Sequence, residues 1–122
     1  MQTTLQHIAL PELNAGEFCA GILFLDGKPA HWLVLLPSDD GTRNFTDAKA
    51  WAASIGGELP TRREQSLLFA NLPEQFERDW YWSGEENGSG WAWCQDFYDG
   101  TQYGGRQVSK LRARAVRRLP IQ

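Results

Sequence analysis

Two apolar runs, Glu17 to Leu25 and Ala30 to Leu36, meet at Asp26-Gly27-Lys28-Pro29 in "GEFCAGILFLDGKPAHWLVLLP". Asp-Gly supplies the positive φ that a tight hairpin turn needs, so the pattern predicts a β-hairpin. The polar stretch "PSDDGTRNF" follows as a loop. In "TDAKAWAASIGG" the residues Ala48, Trp51, Ala52 and Ile55 recur at i, i+3, i+4 and i+7, one face of a helix. Thr46 is its expected N-cap, Asp47 suits the positive end of the dipole, and Gly56-Gly57 ends it. A second helix opens at "PTRREQSLLFANL", where Thr61 and Glu64 have the spacing of a capping box. Leu67, Leu68 and Leu72 form its expected buried stripe.

Beyond Trp80 the pattern turns to strands: "WYWSG", "GWAWCQDFYDG" and "QVSKLRARAVRRL", broken by Gly84, Gly88, Gly90, Gly100, Gly104 and Gly105. The order of hairpin, two helices and then strands predicts an α+β fold in one domain spanning 1–122, without internal repeats. In "GWAWCQDFYDG" the side chains alternate. Trp91, Trp93, Gln95 and Phe97 share the side expected to be core, and Ala92, Cys94, Asp96 and Tyr98 share the side expected to face outward. The outward set, with the loop Glu85 to Gly90 and the turn Asp99 to Arg106, would form a continuous display surface above a floor of rings.

"KLRARAVRRL" sets Lys110, Arg112 and Arg114 against Leu111, Ala113 and Ala115, the period of a strand with one basic face. A phosphate-contacting ribbon and a set of arginine braces against an acidic segment both fit. The absence of interleaved aromatic residues favours the braces. Charge placement agrees. Arg106, Lys110, Arg112, Arg114, Arg117 and Arg118 crowd the C-terminal end, while Glu74, Glu77, Asp79, Glu85, Glu86, Asp96 and Asp99 precede them. Blocks this close in sequence are expected to face each other. The net charge of −3 argues against a general nucleic-acid binder.

Six tryptophans in 122 residues are the compositional outlier, and such chains build wide cores or adhesive surfaces. No basic start leads into an apolar run, and no stretch reaches the ~20 apolar residues of a membrane helix. The expected setting is synthesis in a host cytoplasm without membrane insertion, with Cys19 and Cys94 as free thiols.

His7 and His31 lack a second ligand at metal spacing, "SDDGTRN" lacks the full calcium loop, and no cofactor is expected. No nucleophile elbow, P-loop or dinucleotide fingerprint occurs. Glu85 and Glu86 with Asp96 or Asp99 are the one arrangement that could serve as an acid/base pair for glycoside cleavage; solvated loop acids are the plainer reading.

"GGELPTRREQ", "YWSGEE", "AWCQDF", "YDG" and "LRARAVRRL", in that order between Trp51 and Leu119, resemble the DUF1566 family, a phage- and prophage-borne branch of the C-type-lectin-like fold. The resemblance implies two helices flanking a twisted antiparallel sheet whose terminal strands pair. Its relatives include the variable proteins of diversity-generating retroelements. It implies Glu85, Glu86, Asn87, Ser89, Cys94, Asp96, Tyr98, Tyr103 and Arg106 as the ligand-binding face, on a scaffold of Trp82, Trp93, Phe97, Arg112, Arg114 and Val116. The chain lacks the Glu-Pro-Asn or Gln-Pro-Asp and Trp-Asn-Asp triplets of calcium-dependent lectins. It also lacks the paired-cysteine motif of formylglycine-generating enzymes.

Three functional expectations follow. The first is a non-enzymatic binding module on a virion tail, attached to a larger assembly or self-associated, that recognises a host surface ligand or another virion protein. The second is an intracellular phage protein that blocks a host defence factor. The third and least favoured is a glycan-acting enzyme.

Overall fold

Trp82, Tyr81 and Phe45 are the largest side chains sealed from solvent, and the chain is arranged to cover them. The computed structural model describes residues 9–39 and 41–122. His7, the rest of the opening segment and Asp40 of the "SDDGTRN" loop lie outside the described residues.

Strands β1 (Phe18–Leu25) and β2 (Lys28–Leu35) form the expected hairpin. Asp26 and Gly27 turn it with φ of 52° and 76°, and Leu25 pairs with Lys28 across them. Positive φ at both central residues is the geometry that matches the strand twist. The register slips between Cys19 and Gly21 and again between Leu23 and Phe24. Bulges of this kind twist an edge strand away from pairing with another chain.

Helix α1 spans Phe45–Ser54 and is capped by Asn44, not Thr46: the Asp47 N–H donates to Asn44 Oδ1 at 2.8 Å. Starting there places Phe45, Ala48 and Ala52 on one face, and all three are buried. Ile55, expected on that face, is the exposed C-cap instead. Helix α2 spans Arg62–Asn71 and carries the predicted box. The Glu64 N–H donates to Thr61 Oγ1 at 3.2 Å, and the Thr61 N–H donates to Glu64 Oε1 at 2.8 Å. Its buried face includes Glu64 and Gln65 as well as Leu68. A single 3-10 turn, Pro73–Gln75, follows.

The second half holds β3 (Trp80–Glu86), β4 (Trp91–Asp96), β5 (Gln102–Arg106) and β6 (Val116–Leu119). The architecture is α+β, with two small antiparallel sheets in the orders β1-β2-β6 and β3-β4-β5 rather than a single sheet. β6 returns to pair with β2, so the first and last strands share one sheet through β2. β5 occupies part of what the sequence presents as a turn. The long strand expected over "QVSKLRARAVRRL" shrinks to β6, and isolated bridges from Arg43, Tyr81 and Glu58 tie down Leu111, Arg112 and Val116. Gly57 sits where this segment passes closest: a Cβ there would lie 2.4 Å from Leu36 Cδ1 and 2.7 Å from the Val116 carbonyl oxygen.

The sheet β3-β4-β5 is covered on both faces, which corrects the expected split into a core side and a display side. Trp82, Ala92 and Cys94 pack with Phe45, Ala48 and Ala52 of α1 and with Ala113 and Ala115. Tyr81 and Phe97 pack with Leu68 and Leu72 of α2 and with Leu33, Leu35 and Val116. Ala92 and Cys94, expected outward, are therefore buried, while Trp91, expected inward, is 41% exposed. Alternation distinguishes two faces only when one of them meets water.

The predicted basic face also disappears. Arg114 is buried, and it donates to the Gln75 carbonyl and, at 2.9 Å, to the Leu36 carbonyl; burial lowers its pKa. Arg112 reaches Asp79 at 3.1 Å and Asp39 at 3.4 Å. Of the pairings between the acidic and basic blocks, Asp79 with Arg112 is formed. Arg117 and Arg118 turn to Glu17, Glu58 and Glu64, outside the acidic block.

Candidate functional site

The exposed parts of the second sheet are its ends and its outer strand. At one end the β3–β4 connection folds back on itself, with the Asn87 N–H on the Trp91 carbonyl at 2.8 Å. Gln107, just past β5, secures it, donating its backbone N–H to Gly90 O at 2.9 Å and its Nε2 to Trp91 O at 2.8 Å. Arg106 pairs across strands with Trp91 and holds its guanidinium 5.3 Å from the ring centroid, an exposed cation–π contact. The Asn87 amide lies over Gly104, where a Cβ would come within 2.5 Å of Nδ2. Asn87, Trp91 and Arg106 thus form one cluster, with exposed Glu86 at the end of β3 and exposed Ser89 on the connecting loop.

In the middle, Tyr103 on the outer strand β5 is 56% exposed, its ring tilted against Trp80 at 5.4 Å. Trp80, Tyr103, Gly104, Gly105 and Leu111 line a shallow trough of about 370 Å³ that has Cys94 in its floor. At the far end Tyr98 is exposed, with the Arg78 guanidinium 5.4 Å from its ring. Asp96 Oδ1 accepts the Tyr98 N–H at 2.9 Å, and Asp99 Oδ1 accepts the Thr101 N–H at 2.9 Å. The latter bond holds the Asp99 carboxyl below the usual carboxylate range. Both acids shape their own turn.

Besides Asp96, two more of the nine predicted contact residues have other work. Cys94 is buried, its thiol 3.4 Å from the Tyr103 carbonyl, and burial pushes its pKa up to about 11; it is a core residue and leaves the contact set. Glu85 is exposed, but its Oε2 accepts the Arg62 N–H at 2.7 Å and so caps α2 from across the fold. Cys19 and Cys94 are both free thiols. The expected scaffold residues Trp82, Phe97 and Val116 are buried, and Trp82 Nε1 donates to the Arg43 carbonyl at 2.9 Å. Trp93 is half-buried beneath the Arg62 guanidinium, which lies 3.5 Å from its ring centroid.

The acid/base pair is not assembled. Trp80 pairs with Asp96 and Glu86 with Ala92, so Glu85 and Glu86 sit at the opposite end of the β3–β4 ladder from Asp96 and Asp99. Four residues of strand span ~13 Å. Paired glycosidase carboxylates lie roughly 5–9.5 Å apart. Among the described residues no group of three or more His, Cys, Asp or Glu gathers to hold a metal ion, and no helix is long and apolar enough to cross a membrane.

The structure also builds a constellation that sequence patterns hide. Glu64 is fully buried, yet it carries four donors: the Thr61 N–H, Arg118 Nε at 2.7 Å, Arg118 Nη2 at 2.8 Å and His31 Nε2 at 2.7 Å. Burial raises its carboxyl pKa, but the bonds from Arg118 and Thr61 outweigh this and hold it below the ordinary value. His31 therefore serves an ion-pair cluster. The T-x-x-E spacing announces only the helix cap; nothing local marks Arg118 as the partner. No protein-family model matches the chain, and no curated protein matches it.

Proposed function

We propose that this chain is a non-enzymatic binding module with a C-type-lectin-like arrangement, similar to the phage- and prophage-borne DUF1566 proteins. In this reading it is carried on a virion tail, where it recognises a host surface ligand or another virion protein. The observation that carries the reading is the contrast within one sheet. Trp82 and Tyr81 are 0% and 1% exposed, while Trp91 and Tyr103 stand open near Glu86, Asn87, Ser89 and Arg106, and Tyr98 stands open at the far end. Rigid aromatic anchors among adaptable polar groups are the composition of a contact surface. The order of hairpin, two helices, second sheet and a last strand returning to the hairpin supports the fold assignment. Contacts this small are weak singly, so several copies on one particle would supply the avidity.

Mass spectrometry of purified particles tests the location. The protein should appear in intact virions, and particles carrying Tyr98→Ala, Tyr103→Ala and Arg106→Ala together should adsorb to host cells at least about tenfold less, a loss of about 1.4 kcal/mol. Absence from virions would overturn the tail assignment. Unchanged adsorption by folded triple-variant particles would overturn the surface assignment.

A further inference from the structure

We propose that the cleft between the hairpin and the start of α2 binds a small molecule carrying a carboxylate or phosphate group, read by the side chain of Arg62. The cleft is about 500 Å³, and Leu23, Leu25, His31, Arg62, Arg63 and Gln102 are among its lining residues. That size falls within the ~300–1,000 Å³ typical of small-molecule sites.

Arg62 is fixed far more firmly than a half-buried arginine needs to be. Its guanidinium carbon lies 3.5 Å from the Trp93 ring centroid, and its Nε donates to Gln102 Oε1 at 3.0 Å. Gln102 Nε2 in turn donates to the Arg62 carbonyl and to Gln95 Oε1, both at 2.8 Å. Gln95, fully buried, donates to the Gln65 carbonyl at 2.9 Å, and buried Gln65 donates to the Tyr81 carbonyl at 3.1 Å. A relay of carboxamides thus runs from the core to this one guanidinium. Its terminal nitrogens, Nη1 and Nη2, make no hydrogen bond or ion pair to any described residue. Their fork is the geometry that engages a planar or tetrahedral oxyanion through two parallel bonds, and a group already ordered loses little entropy on doing so.

The surrounding charges leave this role to Arg62 and exposed Arg63. Arg118 is occupied by Glu64 and Glu58, and Glu64 already carries its four donors. The backbone end of α2 is also taken, the Arg62 N–H by Glu85 and the Glu64 N–H by Thr61. Glu85 is the lining carboxylate that remains as a competitor for cationic groups. Leu23 and Leu25 both line the cleft and give an apolar wall, so the preferred ligand joins an oxyanion to an apolar body.

The test is an NMR titration of the whole chain with inorganic phosphate, acetate and benzoate, following the Arg62 Nε–H, the Gln102 side-chain amide and the His31 ring. Saturable shifts confined to these groups are expected, with benzoate binding more tightly than acetate. A tighter phosphate curve would assign a phosphorylated ligand, and a tighter benzoate curve a carboxylate. Arg62→Lys should weaken binding about tenfold, because lysine loses the fork, and Glu85→Gln should strengthen it by removing a like charge. Glu85→Gln, at an exposed position, keeps the test decisive if Arg62→Lys disturbs the fold. Tyr98→Ala and Tyr103→Ala should leave the titration unchanged, which separates this site from the proposed adhesion surface. Shifts that grow linearly with salt, or an Arg62→Lys titration identical to that of the unaltered chain, would overturn the proposal.

Discussion

Sheet β1-β2-β6 is fastened by charge. Arg117 and Arg118, both on its last strand, hold Glu17 at 2.8 Å and buried Glu64 at 2.7 Å. Sheet β3-β4-β5 is fastened by rings and carboxamides. Phe45 meets Trp82 edge-on at 5.5 Å, Phe97 stacks on Phe76 at 4.0 Å, and Gln65 and Gln95 bond to backbone carbonyls. Among the described residues no ion pair involves a side chain of β3, β4 or β5. Ion pairs depend on the protonation state of both partners; ring packing does not. The first sheet therefore fixes where the last strand meets the hairpin, and the second can vary its exposed rim without disturbing its support.

The strongest way to break the comparison is to remove the largest buried ring. Trp82→Ala leaves a cavity beside Phe45 and removes one of two donors to the Arg43 carbonyl, which keeps the Leu111 N–H, and it should cost about 4 kcal/mol of unfolding free energy. Urea denaturation should show both sheets lost together, since Trp82 packs with α1 and with Leu36 and Ala115 between the sheets. Retention of a folded hairpin sheet would mean that the two sheets are energetically separate.

Glu64→Gln attacks the charged side of the contrast. It leaves Arg118 with Glu58 as its one carboxylate partner and should cost about 3 kcal/mol at neutral pH, the lower end for a broken buried pair. The pH dependence has a definite sign. The Glu64 carboxyl is depressed in the folded state from an ordinary value of 4.5, so its contribution is fully present above pH 4.5 and is lost as pH falls through the folded pKa. The stability gap between the unaltered chain and Glu64→Gln should therefore close on acidification below pH 4.5. An equal gap at pH 7 and at acid pH would place the effect in packing.

What was legible in the sequence was local. The Asp26-Gly27 turn and the Thr61–Glu64 box announce themselves within four residues because the backbone groups they satisfy are that close. Local spacing points to Thr46 as the α1 cap, but burial of Phe45 against Trp82, a contact across the fold, decides where that helix begins. The pattern hides β5 because Gly104 and Gly105 interrupt the alternation; Gly104 lies under the Asn87 amide, and Gly105 packs against Cys94 and Trp82. Alternation puts Cys94 on the surface, but period two carries no information when both faces of a strand are covered. The Glu64–Arg118 pair spans 54 residues and leaves no local trace.

A smaller effect tests the local signal itself. Thr61→Ala removes the acceptor for the Glu64 N–H and should cost about 1 kcal/mol by thermal or chemical unfolding. The same change loosens the segment that presents Glu64 to Arg118. A double-mutant cycle with Glu64→Gln should therefore give less than the sum of the two single losses.

The smallest expected effect is the one the functional reading needs most. Tyr103→Ala removes a ring that is more than half open to water and touches Trp80 along one edge, so stability should change by no more than about 0.5 kcal/mol. Strand β5 should survive, because its ladder to β4 is made by backbone groups and Gln102 anchors its first residue to Arg62 and Gln95. Measured beside Trp82→Ala, this variant sets the two layers of one sheet against each other: deletion below unfolds the protein, whereas deletion above changes what it can touch. A loss of 2 kcal/mol or more at Tyr103 would make that ring part of the core, and the rim would cease to be a surface free to meet a partner.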